Sequence, residues 1–473
     1  MKSDPAMMHA HELLKLYGKK KLSPIEATEA ALRRLERFNP VLNCMQHVDA
    51  EGALKEAKAS EKRWSKGKTL GPLDGVPVTI KDMVQTRGMP TRMGSAATSA
   101  DGPWEHDAPS AARLRESGAV FLGKTTSPEY GWKGVTDSKL FGITRNPWDI
   151  HKTPGGSSGG GVAAEAVGIG NLAVGSDGAG SVRIPCSFTG LFGLKATFAR
   201  VPIWPPSAQG TLSNVGPMTR SVRDAALMMN VMARPDSRDW YSLPFDSKEN
   251  YTKGLKDGVK GLRIAYSPNL GFVEEDRIDP EVAAAVADAA RLFKKLGAKV
   301  TRASPDLQGL DPRDIENVHW TGNCHVLLKG FPPEKQALMD PGLLRAAEHG
   351  GRHSVETFVR ATHQRQTLGY IFNQFFNDFD LLLTPTMPMP AFNVGEPAAY
   401  GGDGVDIGWT PFTLTFNLTR QPAATIPCGV TRAGLPIGLQ IVGPHYADAL
   451  ILRAAHAYER ERPIEAPPMA GKA

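Results

Sequence analysis

The chain has 473 residues, 41% of them hydrophobic and 22% charged, with a formal net charge of +6. That length buries a sizeable core and the composition is that of an ordinary globular protein. The mild, scattered positive charge argues against a nucleic-acid partner, no run of about 20 apolar residues suits a membrane span, and none of the four cysteines (Cys44, Cys186, Cys324, Cys428) sits in a C-x-x-C pair that would mark a zinc or redox site.

The first segment, MKSDPAMMHAHELLKLYG, carries acids and histidines but no apolar h-region, so it does not read as a secretory signal. With the unpatterned cysteines this fits a reducing cytoplasm. Residues 8–38 read as helices, the second opened by Ser23-Pro24 and stopped by Asn39-Pro40; another helix is expected over about 48–66. These helices form an N-terminal arm, 1–66, packed on a core, 67–473. The densest basic run, KLYGKKK (15–21), reads as a solvated helix end.

From 71 to 200 short strand patterns alternate with Gly-rich turns and helices, the mark of an α/β core. VPVTIKD (76–82) is a strand that delivers Lys81. SAARLRESGAVFLGKT (110–125) is a helix, a Gly118 stop and a strand. GVAAEAVGIG is a short helix of small residues, and NLAVGSD is a strand. A helix is expected over 218–235, a strand over 261–268, a helix ending at Gly297 and a strand after it. The stretch of about 250–370 reads as polar and loop-rich, a lid or insertion beside the core. FDLLLTPT (379–386), AATIPCGV (423–430) and LPIGLQIVGP (435–444) have buried-strand character, and ADALILRAAHAYERER is the last helix.

Two glycine runs carry serines: KTPGGSSGGG (152–161) and GSDGAGSVRIP (175–185), with 24 residues from Ser157 to Ser181. A phosphate cradle is disfavoured, because G-x-x-x-x-G-K-[ST] is absent and no strand precedes the first run. A G-x-S-x-G nucleophile elbow needs a buried strand before it; TRNPWDIHKTP is polar and Pro-broken. The remaining reading uses both clusters with Lys81. A serine hydroxyl is a weak nucleophile without a base. A lysine serves as that base only when neutral, which asks for a pKa near 7–8 rather than about 10.4, a shift of roughly 3 units or about 4 kcal/mol. Burial beside VPVTI supplies it. The second serine relays the proton, and the glycine turns offer N–H groups to an oxyanion.

These residues resemble the amidase signature family. The matching pieces are GPLDGVPVTIKD (71–82), RLRESGAVFLGKTTSPE (113–129), TPGGSSGGGVAA (153–164), GSDGAGSVRIPCSFTGLFGLKAT (175–197), GPMTRSVRDAA (216–226), DLLLTPTMPMPA (380–391), PAATIPCG (422–429) and GLPIGLQIVGP (434–444). The resemblance covers nearly the whole chain. It implies an α/β fold with a large mixed β-sheet flanked by helices on both faces. It also implies a Ser–cisSer–Lys triad: Ser181 the nucleophile, Ser157 the cis-serine after a cis Gly156–Ser157 bond, and Lys81 the base. The backbone N–H groups of Gly178, Ala179, Gly180 and Ser181 would form the oxyanion hole, with Ser158, Asp177 and Arg183 in support. No metal or organic cofactor is implied, and a homodimer is common in the family.

Ser158 is expected to bond backbone around its turn, Asp82 to bond backbone near the site, Arg183 to pair structurally, and Cys186 to fill core. Trp204 and Phe141 are candidates for the acyl pocket, and His325 is weighed for it. The aromatic residues Trp240, Trp320, Phe331, Phe358, Tyr370, Phe375 and Trp409 hint at an apolar or aryl substrate. Two departures from the family pattern stand out: Ala179 replaces a common glycine of D-x-G-G-S, and Arg420 stands where glycine is frequent and would bring a charge to the pocket rim. The function expected is hydrolysis of a small-molecule C–N amide bond, with carbamates, anilides and esters open to the same apparatus. The rival is a glutaminase component of a tRNA-dependent amidotransferase, which works only with partner subunits.

Overall fold

The computed structural model describes residues 4–244, 249–396 and 408–472. The variable segments 200–250 and 300–410, which the sequence reading expects to form the pocket, fall partly outside them, at 245–248 and 397–407.

Helices α1 (Ala10–Gly18) and α2 (Pro24–Leu42) open the chain. The Ser23 hydroxyl accepts from Ile25 N at 2.9 Å while Glu26 takes the Ser23 N–H at 2.8 Å, a reciprocal cap that fixes where α2 starts. The expected stop at Pro40 is overrun. Proline's φ suits a helix, and the end is closed later: Asn43 is left-handed (φ 49°) and Asn39 Oδ1 accepts from the N–H groups of Cys44 and Met45. Strand β1 (Met45–Val48) precedes α3 (Ala50–Ser65), so the expected helix over 48–66 starts two residues later. The first 66 residues thus contribute a strand to the main sheet and tie back elsewhere: the N–H groups of Ala10 and His11 donate to Asp224, at 2.9 and 3.0 Å.

The middle of the chain runs β2 (Pro77–Lys81), α4 (Pro109–Glu116), β3 (Val120–Thr125), the small hairpin β4 (Asp137–Ser138) and β5 (Gly142–Ile143), then α5 (Gly159–Ala166), β6 (Leu172–Asp177), α6 (Arg183–Thr189), β7 (Phe192–Lys195), β8 (Asn214–Thr219) and α7 (Val222–Met232). The helix expected over 218–235 begins only at Val222, where the Ser221 hydroxyl caps Asp224 N. Met218 and Thr219 belong instead to β8, paired with Gly193 and Phe192 of β7. Gly216 and Pro217 hid this strand, since both residue types are poor strand formers.

The last part holds β9 (Arg263–Tyr266), α8 (Pro280–Lys295), β10 (Lys299–Arg302), α9 (Pro312–Lys329), α10 (Pro333–Gln336), α11 (Pro341–Gly350), α12 (Val355–Asp378), β11 (Leu381–Pro385), α13 (Pro411–Leu418), β12 (Ala423–Val430), β13 (Pro436–Val442) and α14 (Asp448–Glu461). The loop-rich reading of 250–370 is therefore corrected: most of that stretch is helical, and β9 and β10 extend the core sheet. Its helices read as polar because their faces alternate over solvent and core; on α12 the buried positions Ala361, Leu368, Ile371, Phe372 and Phe376 are spread thinly over 24 residues.

Eleven strands form one mixed sheet in the order β1-β3-β2-β6-β8-β7-β12-β13-β11-β9-β10, flanked by helices on both faces. The core spreads along that sheet: Val78, Ile80, Leu172, Val174, Leu194, Leu383, Leu439 and Ile441 are all without solvent contact. What positions the site is the β2–β6 pair, third and fourth in that strand order. Strands β2 and β6 are parallel neighbours, with Ile80 opposite Val174, so their C-terminal ends emerge side by side. No helix among the described residues is long and apolar enough to cross a membrane.

Candidate active site

Lys81 is the last residue of β2, and Ser176 and Asp177 end β6 beside it. The first glycine run passes over this edge just before α5, and the second leads from β6 into α6. The glycines admit close approach. A Cβ on Gly156 would lie 2.5 Å from the Val135 carbonyl, and one on Gly160 would lie 2.5 Å from Thr126 N. The Gly156–Ser157 peptide bond is cis, as the resemblance implied.

The Lys81 amine is fully buried. Its Nζ lies 2.7 Å from Ser157 Oγ, 2.9 Å from Ser158 Oγ and 2.9 Å from Ser176 Oγ. Burial pulls its pKa down to about 7, against the charges of Asp177 and Asp82, which raise it. A neutral amine keeps a lone pair, and three hydroxyls surround it. Ser158 does bond backbone as expected, donating to the Ser176 carbonyl at 3.1 Å. Ser176 was missed by the sequence reading, because only the pairing of β2 with β6 brings it to Lys81.

Ser181 sits in the turn between β6 and α6 and lines the same cavity as Ser157 and Ser176. Among the described residues no hydrogen bond engages Ser181 Oγ, so the hydroxyl is free to turn toward Ser157. The Ser181 carbonyl accepts from Ser158 N at 3.3 Å, which ties the two glycine turns together.

The four expected oxyanion donors divide. The Gly180 N–H is already committed to Asp177 Oδ1 at 2.8 Å. No acceptor among the described residues takes the N–H of Gly178, Ala179 or Ser181. Gly180 alone in this turn has a positive φ, 127°, and a Cβ there would meet Thr413 Oγ1 at 2.3 Å. Ala179 needs no such conformation, so the departure from D-x-G-G-S leaves the turn intact; its carbonyl accepts from Thr413 Oγ1 at 2.8 Å.

Asp177 holds this turn. It accepts from Gly180 N, from Val182 N at 3.2 Å, and from Arg183 Nε and Nη2 at 3.0 and 2.9 Å. Both side chains are wholly buried. Burial alone would raise the Asp177 carboxyl, but the Arg183 charge and its hydrogen bonds prevail and hold it at about 2. Arg183 also donates to Asn417 Oδ1 at 2.6 Å and Gln440 Oε1 at 2.8 Å. Gln440 is a lone amide inside the apolar run LPIGLQIV, a legible signal that was passed over; Asn417 carried none. Arg183→Met leaves the Asp177 carboxylate buried and unpaired, and is expected to cost about 3–5 kcal/mol, read as a lower midpoint in denaturant. A midpoint within experimental error of the wild type would refute that role.

Asp82 behaves as read, accepting from Arg92 N at 2.8 Å and Gly94 N at 2.7 Å. Cys186 is core, and all four cysteines are buried and unpaired.

The cavity over the serines has a volume of about 350 Å³. Trp204 and Trp320 line it, joined by Met83, Met93, Tyr130 and Ile203, which sequence reading did not select. The other candidates fall elsewhere. Phe141 lies by the β4–β5 hairpin, where its carbonyl accepts from Asn43. His325 faces α11, bonded through Nδ1 to the Ala347 carbonyl at 3.0 Å. Trp240 is 83% exposed, Phe331 packs on Tyr130, Phe375 packs on Phe376 and Phe379, and Trp409 packs on Phe392. Phe358, Tyr370 and Arg420 line a different cavity. The expected charge at the rim of the serine pocket is therefore corrected: Arg420 turns away, over the Phe198 ring at 4.5 Å.

A mixed eleven-stranded sheet that buries a lysine amine against two serine-bearing glycine turns is the arrangement the amidase signature class would present. The family model for Amidase matches residues 26–452, and the chain belongs to that family. It is 38% identical to an acylamidase of Rhodococcus erythropolis, over 96% of each chain. It is 35% identical to one of the subunits of the glutamyl-tRNA(Gln) amidotransferase of Myxococcus xanthus, over 92% of this chain and 93% of that one. Among solved structures it superposes on a bacterial aryl acylamidase of the amidase signature family with a TM-score of 0.89, at 31% identity over 96% of each chain.

Proposed function

We propose that this protein is an amidase that hydrolyses the C–N bond of small apolar or aryl amides through an acyl-enzyme on Ser181. The observation that carries the reading is the desolvated Lys81 amine 2.7 Å from Ser157 Oγ, in the cavity wall that Ser181 shares. Ser181 attacks the carbonyl carbon as its proton passes to Ser157 and the Ser157 proton passes to Lys81. The tetrahedral oxyanion takes the uncommitted N–H groups of Gly178, Ala179 and Ser181. The Lys81 ammonium then returns a proton through Ser157 to the leaving amine. Water, deprotonated along the same path, releases the acid. Carbamates, anilides and esters are open to the same steps. Buried, unpaired cysteines suit a reducing compartment such as the cytoplasm.

The amidotransferase reading meets an obstacle in the pocket. Free glutamine carries an ammonium and a carboxylate that need charged partners, yet no Asp, Glu, Lys or Arg is among the described residues that line the cavity. Trp204, Trp320 and Ile203 suit a flat apolar group instead. The purified chain alone is expected to hydrolyse an acylanilide and to leave glutamine intact; the reverse preference would refute this reading. Trp204→Ala is expected to raise KM for the anilide about tenfold, through lost apolar contact, with kcat much less affected. An unchanged KM would move the acyl or amine group away from Trp204.

The proton path sets the pH dependence. Lys81 accepts a proton only when neutral, and its pKa lies at about 7. Activity (kcat/KM) is expected to rise about tenfold per pH unit below that value and to level off above it. A profile flat between pH 5 and 8 would count against Lys81 as base.

A further inference from the structure

A second cavity is larger than the serine pocket. It has a volume of about 710 Å³ and lies between α9, α12, the end of α13 and the 209–212 segment. Gln209 lines both cavities, so the two abut there. Arg365 and Arg420 line the larger one, and no aspartate or glutamate is among its described lining residues.

Neither guanidinium has a carboxylate within 4 Å among the described residues. Arg365 is held in place by neutral acceptors: Leu418 O at 2.8 Å, Thr211 Oγ1 at 2.9 Å and Thr211 O at 3.2 Å. Arg420 rests on the Phe198 ring and has no ion pair among the described residues. The acid whose charge bears most on Arg365 is Glu316, and it is fully buried, with both carboxyl oxygens lacking a hydrogen-bond partner. Burial pushes that carboxyl well above the usual carboxylate range, so it adds little negative charge at neutral pH. His319, 6% exposed, also lines the cavity, and its Nε2 has no partner. Two half-buried cations without an ion-pair partner among the described residues, beside polar atoms without partners, leave an electrostatic deficit that an anion would fill. Phe358 and Leu418 add apolar wall to the same space.

We propose that this cavity is a second ligand site, taking a small organic carboxylate whose charged end meets Arg365 and Arg420 and whose apolar body lies along Phe358 and Leu418. A planar carboxylate matches the guanidinium fork, and the walls give a reason to prefer it over a bare inorganic anion.

Calorimetric titration of the Ser181→Ala protein with phenylacetate, and separately with inorganic phosphate, tests this without any need for turnover. Phenylacetate is expected to saturate a site and to bind more tightly than phosphate. Its affinity is expected to fall about tenfold in Arg365→Gln and in Arg420→Gln, each combined with Ser181→Ala. Arg365 also supports backbone carbonyls, so Arg420→Gln keeps the test decisive if Arg365→Gln fails to fold. No saturable phenylacetate binding up to roughly 10 mM overturns the proposal. Binding that both arginine variants leave unchanged places the carboxylate elsewhere, in the serine pocket, and also overturns it. Phosphate that binds as tightly as phenylacetate removes the role given to Phe358 and Leu418 and overturns the organic carboxylate as the ligand class.

Discussion

Ser181→Ala is expected to lower kcat/KM on an acylanilide by about 10⁴-fold or more, because the proposed acyl bond forms on Ser181 and the neighbouring Ser157 and Ser176 hydroxyls are engaged by Lys81. Its hydroxyl has no hydrogen-bond partner among the described residues, so its removal breaks no structural contact, and the thermal midpoint is expected to stay within about 1 °C of the wild type. That combination, lost chemistry with kept fold, separates a nucleophile from a packing serine. The residual rate comes from the free N–H groups of the 178–181 turn and from substrate binding alone. Ser157→Ala offers the internal comparison: it leaves the proposed nucleophile in place but cuts the proposed proton route to Lys81. Activity retained in Ser181→Ala would end the acyl-enzyme reading, and it would leave the family membership untouched.

Lys81→Met is expected to lower kcat/KM by about 10²–10⁴-fold, the usual range for a lost general base. It carries a second signature in stability. The folded-state pKa of Lys81 lies at about 7 and its ordinary value at 10.5. Between those values the unfolded chain binds a proton that the folded one does not, so stability rises with pH across that window. The contribution is complete above 10.5 and is lost as pH falls through 7. The stability of wild type minus that of Lys81→Met is therefore expected to climb from pH 7 toward 10.5 and to be flat below 7. Lys124 and Lys195, also fully buried and pulled down by burial, contribute similar slopes that cancel in the difference. A difference that does not change with pH would show that Lys81 keeps its ordinary proton in the fold, and it would then be unfit as a base.

The parts of the chemistry were legible in the sequence. Local pattern determined them: an apolar strand ending in Lys81, and two glycine runs each holding a serine. The hydrophobic runs of β2, β6, β11, β12 and β13 were readable for the same reason, since buried central strands are written as near-continuous apolar segments. The short strand β1 and the Gly-Pro strand β8 were not, because edge position and ladder pairing, rather than propensity, make them strands.

Assembly belonged to the tertiary structure. Only the parallel pairing of β2 with β6 brings Ser176 to the Lys81 amine, and only the fold commits the Gly180 N–H to Asp177 while leaving its neighbours free. The same holds for the aromatic residues. Trp204 and Trp320 reach the serine pocket, whereas Phe358 and Tyr370 line the second cavity with Arg420. A sequence states which side chains are available and which face of a strand or helix each occupies. Which distant faces meet, and which polar groups lose water together, depends on long-range packing. That packing sets the burial that brings Lys81 to about 7 and leaves Arg365 and Arg420 with no carboxylate within 4 Å among the described residues.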